Sequence, residues 1–249
     1  MPLQGVQAEA LIYPEYAEAL DGIDRHSHVH VLVWLHHASR DRLKIVSGRV
    51  KADLPAKGVF GIRSPVRPNP IGLITTRLLA RAGNLLSLEN VDAVDGTPIV
   101  DIKPYSTGWD CVFSARNNST YFVYSKLSKK EALADMLRQA ANFHGDKCVG
   151  VCIGVRAAYV AAMRFQCDLQ DKELTIVANT RGCIADALQS LCSSGNKRFS
   201  HPGGDGEIIF ERLGAKLRLV VIDKKFSSVD EVLAVEDEEV FSAIEFSEG

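Results

Sequence analysis

Three residues in the second half of the chain have the types and spacing of metal ligands. His144 and Cys148 lie four positions apart, and Cys183 stands near the expected start of a later helix. A thiol near a helix N-terminus faces the positive end of the helix dipole, which favours the thiolate that binds metals. One histidine and two cysteines leave a fourth position open, as in catalytic zinc sites. The pattern predicts a site for zinc or another divalent transition metal; ordinary buried cysteines are the alternative.

A second group of candidates lies in the proline-rich segment 58–72. Its three closely spaced prolines exclude a helix, because each fixes its own φ and biases the preceding residue towards extended backbone. Asn69 is thereby held extended between two of them. Arg63 and Arg67 are expected to leave this stiff loop as fixed cations, suited to bidentate binding of a carboxylate or phosphate. A surface turn with unrelated arginines is the alternative.

Carboxylates and histidines form two further groups. Asp92, Asp95 and Asp101 stand close together in a largely apolar segment, although turn chemistry accounts for Asp95 alone. Alternation along the apolar run 29–35 places His28 and His30 on one face, and His36 joins them if the strand continues. A three-histidine metal site is conceivable there, but no acid or cysteine nearby in the sequence completes it.

The elements that must position these residues differ between the two halves of the chain. The first half contains short apolar runs broken by glycine and proline, which predicts a β-barrel or sandwich. The second half begins with a capping box at Ser128 and Glu131 and combines helical and strand patterns, which predicts an α+β domain. The expected strands are 29–35, 43–47, 71–79, 84–91, 99–103, 173–178, 207–211 and 216–222, and the later helices are 149–165 and 184–191. We place the domains at residues 1–115 and 116–249.

Composition limits the class of protein. With 46% hydrophobic and 24% charged residues among 249, the chain is neither disordered, collagen-like nor a coiled coil. No apolar run has the length of a membrane span, and the first residues lack the pattern of a secretory signal. Six cysteines in such a chain indicate free thiols or ligands. We expect a cytoplasmic protein without a membrane partner.

Charge is distributed unevenly along the chain. Residues 40–81 contain ten lysines or arginines and two aspartates, a net charge of +8, whereas the last twenty residues are rich in acids. A basic face attracts phosphates, and an acidic one repels them. Solvated surface is the alternative explanation for both segments.

The first half resembles the TrmO (YaeB-like) family over about residues 8–106. The resemblance is carried by Ser27-His28, His36-His37, Gly-Val-Phe-Gly-Ile-Arg-Ser-Pro-Val-Arg-Pro-Asn-Pro-Ile-Gly-Leu at 58–73, and the aspartate segment 91–105. It implies a usually dimeric β-barrel that binds S-adenosylmethionine and methylates N6 of threonylcarbamoyladenosine beside the tRNA anticodon. The implied cofactor contacts are His36, His37, Arg63, Leu73, Glu89, Asn90, Val91 and Asp92. For catalysis we consider Asp95 first as the proton acceptor, then Asp92, with Asn69 in the same set.

The second half resembles the FmdE family over about residues 135–223. The matching motifs are Phe-His-Gly-x-x-Cys at 143–148 and Gly-Cys-x-x-Asp-Ala-Leu-Gln at 182–189. The resemblance implies an α+β fold whose metal ligands fall on His144, Cys148 and Cys183.

Two functions of different classes follow. The first is an S-adenosylmethionine-dependent tRNA methyltransferase. The resemblance to the TrmO family favours tRNA over DNA as the partner and a homodimer over a monomer. The second is an S-adenosylmethionine- and metal-binding protein that acts on a small molecule or in maturation of a molybdenum- or tungsten-type redox enzyme.

Overall fold

The computed structural model describes residues 5–46, 55–112, 115, 123–180, 182–192, 197–199 and 206–248. The chain divides into two compact units, Met1–Val112 and Phe113–Gly249, which confirms the predicted two-domain arrangement. Within the described ranges, no helix combines the length and the hydropathy that crossing a bilayer requires.

The first unit is built on an antiparallel sheet in which sequence neighbours are not always neighbours in space. Its five long strands lie in the order β1-β6-β5-β2-β7, and β3 pairs with β4 apart from them. The strands are β1 (Val6–Leu11), β2 (His28–Trp34), β3 (Lys44–Ile45), β4 (Lys57–Gly58), β5 (Ile71–Ala82), β6 (Leu85–Val91) and β7 (Ile99–Pro104), followed by the short helix α1 (Thr107–Asp110). A seven-residue 3₁₀ helix occupies Pro14–Leu20, and single 3₁₀ turns occupy Ile23–Arg25 and Val59–Gly61.

The prediction of a closed barrel is wrong for the described part of the chain. There, β1 pairs with β6 and β7 pairs with β2, and no hydrogen-bonded ladder joins β1 to β7. The apolar alternation of β2 buries Val29, Val31 and Val33 on one face against Leu86 and Leu88 of β6. Such alternation predicts strands and their inner faces but does not encode whether the two edge strands meet, which is why closure was not decided by the sequence.

The second unit packs helices on a mixed sheet. Its sheet has the order β12-β11-β10-β8-β9, with β8 and β9 parallel and the other pairs antiparallel. The elements are α2 (Lys129–His144), α3 (Val149–Phe165), β8 (Leu174–Asn179), α4 (Cys183–Leu191), β9 (Lys197–Phe199), β10 (Glu207–Arg212), β11 (Ala215–Val221), α5 (Val229–Ala234) and β12 (Phe241–Ser247), with 3₁₀ turns at Val123–Lys126 and Asp237–Glu239.

Local chemistry fixes the ends of the helices that matter for the site. The predicted capping box is present: the Ser128 hydroxyl accepts from the Glu131 backbone N–H, and the Glu131 carboxylate accepts from the Ser128 N–H. At its other end α2 stops at Gly145, whose φ of 98° is a left-handed conformation that glycine adopts without strain. The chain can therefore turn sharply between His144 and the start of α3.

Helix α3 is the central helix of this unit and carries one fully buried cation. Most of its residues are buried, as expected for a helix that is apolar nearly all round. The Arg156 side chain is fully buried; it donates to the carbonyls of Val232 and Val235 at 2.6 and 2.9 Å and pairs with the Asp237 carboxylate. Asp237 belongs to the acidic chain end, for which solvated surface was one explanation; its pairing with Arg156 shows that part of that charge serves the core.

Candidate metal centre and binding cleft

Three helix ends bring the predicted metal ligands together. His144 is the last residue of α2, Cys148 is the N-cap of α3, and Cys183 is the first residue of α4. One donor atom from each lies within 4.8 Å of the other two, and His144 Nε2 is 3.7 Å from Cys148 Sγ. All three side chains are half-buried. The geometry thus assembles a histidine nitrogen and two cysteine sulfurs around one point.

Two backbone features hold the sulfurs in place. The Cys148 sulfur accepts a hydrogen bond of 3.5 Å from the Val151 N–H in the first turn of α3. Glycine at positions 150 and 154 lets α3 and α4 touch: a Cβ at Gly150 would lie 2.7 Å from the Cβ of Cys183, and one at Gly154 would lie 2.7 Å from that of Ala187. The two helices therefore converge at their N-termini, where both sulfurs lie.

Asp186 orients the histidine, and sequence reasoning missed it. Its carboxylate oxygen lies 2.8 Å from His144 Nδ1, which leaves Nε2 directed towards Cys148. A carboxylate behind the ring is the usual partner of a metal-binding histidine, because it fixes the ring and raises the basicity of the other nitrogen. The signal was available: Asp186 follows Cys183 by three residues, so both side chains lie on one face of α4.

The pKa of one thiol is shifted in the direction opposite to the one expected at a helix N-terminus. Burial, and then a hydrogen bond with Cys148, raise the pKa of the Cys183 thiol. A divalent cation bound by these residues would favour the thiolate forms of the cysteines that hold it. The donor set therefore fits zinc. Elsewhere, burial raises the pKa of Cys152 to about 12 and that of Cys167 to about 11, as expected of inert core thiols.

A second candidate site lies at one end of the sheet of the first unit. Antiparallel pairing places the end of β2, the start of β5, the end of β6 and the start of β7 at the same edge. Two backbone hydrogen bonds join the segments there, from the Leu35 N–H to the Pro70 carbonyl at 2.7 Å and from the Trp34 N–H to the Pro98 carbonyl at 2.8 Å. Loops that are far apart in sequence thus meet.

These loops enclose a cleft of about 370 Å³. That volume is within the range of about 300–1,000 Å³ typical of small-molecule sites. Of the sequence-predicted residues, His36, His37 and Asp92 line it, and the two histidine rings lie 3.8 Å apart between centroids. The rest of its wall is Leu35, Ala38, Ser39, Pro65, Val66, Ala93, Val94 and Thr97.

The other predicted residues of this unit lie around the cleft and not in its described wall. Arg63 and Asn69 are exposed on the proline-rich loop, and Leu73 is 49% exposed on β5. Asp95 is exposed in the turn that precedes β7. Glu89 and Asn90 are exposed near the end of β6, and Val91 is its last residue, directly before Asp92.

One expectation for this unit is corrected, and a site that the sequence left conceivable is not found in the described part of the chain. Arg67 is not a cation directed outward: its guanidinium donates to the carbonyls of Ser64 and Val59 at 3.5 and 3.4 Å and so fastens the loop from within. The three-histidine site does not form among the described residues. Instead, His30 lies 2.9 Å from the Thr75 hydroxyl and 3.6 Å from Asp110, while His36 stacks on His37 beyond the strand.

Comparison with known proteins finds a family match for each of the two units. The profile of the tRNA-methyltransferase O N-terminal domain matches residues 1–111. A probable S-adenosyl-L-methionine-binding protein of Methanothermobacter thermautotrophicus is 44% identical over 99 residues, which are 40% of this chain and 69% of that protein. This chain belongs to the tRNA-methyltransferase O family. The cleft described above lies within the part of the chain that the family profile covers.

Other members of the tRNA-methyltransferase O family show how far the likeness extends. A probable S-adenosyl-L-methionine-binding protein of Archaeoglobus fulgidus is 35% identical over 195 residues, covering 76% of this chain and 51% of its own length. A mouse tRNA (adenine(37)-N6)-methyltransferase is 37% identical over 122 residues, which are 49% of this chain and 27% of the mouse protein. This chain thus spans about half of the archaeal relative.

The second unit matches a different family. The profile described as FmdE, Molybdenum formylmethanofuran dehydrogenase operon, covers residues 143–242. It begins at Phe143, directly before His144, and includes Cys148, Cys183 and Asp186. The metal centre therefore falls within this second match, separate from the part that belongs to the tRNA-methyltransferase O family.

Proposed function

We propose that the first unit binds S-adenosylmethionine in the cleft at the sheet edge and transfers its methyl group to tRNA. The observation that carries this proposal is the convergence of His36, His37 and Asp92 on one cleft of suitable size. It is supported by relatives named as binders of S-adenosyl-L-methionine and by one named as a tRNA adenine-N6 methyltransferase. Bound S-adenosylmethionine supplies a methyl group that its positive sulfur makes electrophilic.

The residues of the chain then have to position the reactants and accept one proton. In-line alignment of an attacking amine with the methyl group provides most of the acceleration in such a reaction. We infer that Asp92 accepts the proton that the amine loses, since Asp92 lines the cleft and Asp95 does not, although both carboxylates are exposed. The family resemblance favoured Asp95, whose turn corresponds to one near the cofactor; we propose the reverse order because Asp92 belongs to the cleft wall. Asn69 on the adjoining loop is left with a positioning role.

The acceptor that we propose is the N6 amine of an adenosine in tRNA, in the threonylcarbamoyl form beside the anticodon. The net charge of +8 over residues 40–81 supports a polyphosphate partner, because this segment includes the loop that supplies Pro65 and Val66 to the cleft. We further propose that the protein acts in the cytoplasm as a homodimer.

The metal centre favours a second candidate function. His144, Cys148 and Cys183 would hold zinc, with Asp186 behind the histidine. Zinc in such a three-ligand site supplies a Lewis acid and lowers the pKa of a bound water. A protein that combines it with S-adenosylmethionine could act on a small molecule or in the maturation of a molybdenum- or tungsten-type enzyme. Methyl transfer to purified tRNA separates the two functions, since only the first requires it.

Replacing Arg63 by alanine is expected to weaken the binding of S-adenosylmethionine. If this guanidinium turns from the stiff loop to the carboxylate of the methionine moiety, its loss removes one charge-assisted contact, at a cost of about 1.5–3 kcal/mol. Isothermal calorimetry measures the change. Arg77→Ala, an exposed arginine in the middle of β5 opposite His28 at the start of β2, is the matched control and should bind normally. Equal affinities in the two variants would remove Arg63 from the site, and a wild type that does not bind at millimolar cofactor would refute the proposal.

Methyl transfer distinguishes the two aspartates. With labelled S-adenosylmethionine and tRNA lacking the modification, Asp92→Asn is expected to lower kcat about 100- to 10,000-fold, the usual contribution of a general base. Asp95→Asn should stay near the wild-type rate. The opposite ranking would return the proton acceptor to Asp95. Full activity in both variants would mean that neither carboxylate takes the proton.

A further inference from the structure

The 3₁₀ turn Val59–Gly61 presents an aromatic side chain that the cleft does not use. Phe60 is 78% exposed, whereas Val59 beside it is 2% exposed. A single exposed apolar residue is common on protein surfaces, so exposure alone implies nothing. What distinguishes Phe60 is how firmly the turn is held and what surrounds it.

The backbone below Phe60 is fixed from two directions. The Val59 N–H donates to the Leu43 carbonyl at 3.0 Å, and the Val59 carbonyl accepts from the Arg67 guanidinium at 3.4 Å. Directly before the turn, β4 pairs with β3 through Gly58 and Lys44. A ring on such a turn loses little conformational freedom when a flat partner stacks on it.

The surroundings of the ring are cationic and adjoin the cleft. The Arg67 guanidinium carbon lies over the ring, 5.9 Å from its centroid. The two residues before Arg67, Pro65 and Val66, belong to the wall of the cleft. One short segment therefore connects the exposed ring with the site proposed for methyl transfer, within the stretch of net charge +8.

We propose that Phe60 is a stacking platform for an unpaired base of the RNA substrate, close to the base that enters the cleft. This inference rests on the proposed function. Proteins that hold single-stranded nucleic acid combine cationic side chains for the phosphates with aromatic rings on which bases stack. Here the exposed ring stands in the sequence segment of net charge +8, directly after the pairing of Lys44 with Gly58. Stacking tolerates any base, so Phe60 adds affinity and places the strand without selecting a sequence. An acidic protein partner would use the charges, and an apolar one would use the exposed side chain. Neither would require the flat aromatic face of the ring.

The test compares three variants of the full chain. Phe60→Leu keeps an apolar side chain but removes the aromatic face, Phe60→Trp enlarges that face, and Tyr16→Leu removes a control aromatic that is 60% exposed between Glu15 and Glu18. Binding of fluorescein-labelled single-stranded oligoadenylate and of tRNA is measured at several salt concentrations, and S-adenosylmethionine is titrated separately. Circular dichroism checks that each variant is folded.

Phe60→Leu is expected to bind both RNAs about 5- to 100-fold more weakly, whereas Phe60→Trp and Tyr16→Leu should match the wild type or exceed it. The slope of log K against log salt should not change in Phe60→Leu, because no phosphate contact is lost. Unchanged RNA affinity of Phe60→Leu beside normal methyl transfer by the wild type would overturn this inference alone. Weaker binding of S-adenosylmethionine by Phe60→Leu would overturn it too, because Phe60 would then help to form the cleft that binds the cofactor. A wild type that neither binds nor methylates tRNA would overturn the proposed function as well.

Discussion

Serine at Cys148 or at Cys183 is expected to abolish the stoichiometric zinc content of the purified protein. Each substitution removes one of three ligands whose donor atoms lie within 4.8 Å of one another, and a hydroxyl is a much poorer ligand for zinc than a thiolate. Asp186→Asn keeps all three ligands but loses the carboxylate behind His144, so zinc affinity should fall only about 10- to 100-fold. Elemental analysis by plasma mass spectrometry, followed by competition with a chromogenic chelator, measures both effects.

Three other cysteines of the same chain are controls for this experiment. Cys111 lies in the first unit, and Cys167 and Cys192 are buried in the second. Their serine variants should retain one equivalent of zinc. Full metal content in Cys148→Ser and Cys183→Ser, with loss in Cys111→Ser or Cys192→Ser instead, would contradict the assignment of ligands. Retention of a different divalent metal by the wild type would keep the ligands and change only the ion.

Replacing Arg156 by alanine is expected to destabilise the second unit by about 3–5 kcal/mol, the usual cost of removing one partner of a buried ion pair. The substitution leaves the Asp237 carboxylate without its buried partner, and the carbonyls of Val232 and Val235 lose their guanidinium donor. Denaturant unfolding, followed by the circular dichroism of the helices, reports mainly on this unit. Both tryptophans, Trp34 and Trp109, lie in the first unit, so their fluorescence follows that unit separately.

The matched control for this prediction is Arg164→Ala, an exposed arginine two turns further along α3. It should shift neither transition by more than about 0.5 kcal/mol, the usual limit for surface substitutions. A normal helical transition in Arg156→Ala would show that the buried guanidinium contributes no net stability. A shift of the tryptophan fluorescence transition alone would contradict the prediction, because it would show that the substitution destabilises the first unit and not the second.

Local patterns predicted those parts of the fold that local chemistry determines. The apolar, β-branched run from Val29 to Leu35 predicted β2, and the pair Ser128 and Glu131 predicted the start of α2, because a short strand and a helix cap each depend on a few neighbouring residues. The ligands His144 and Cys148 were recognisable for the same reason. Their approach to Cys183 needed one further assumption, that the helices beginning near 149 and 184 pack side by side, and the structure has them in contact at Gly150.

Features that depend on distant partners escaped sequence reasoning. The buried role of Asp237 follows from Arg156, which lies far away in the sequence and inside an apolar helix. Strand β12 was missed because its acids suggested a solvated chain end; it is an edge strand with Phe241 buried and with Glu245 paired to Arg218 at 3.3 Å. An open sheet and a closed one share the same alternation, so the barrel was an error of the same kind.

The glycines at 150 and 154 have a consequence for the choice of metal. Where two helices meet at backbone distance, no intervening side chain can change rotamer to widen or narrow the gap. The separation of the two helix ends that carry the cysteines is therefore set by main-chain geometry before any ion arrives, and the sulfurs adjust only by rotation about their own Cα–Cβ bonds. We expect donors anchored in this way to discriminate among ions by ionic radius. The ligand in the open fourth position then has to adjust its bond length to the ion that is bound.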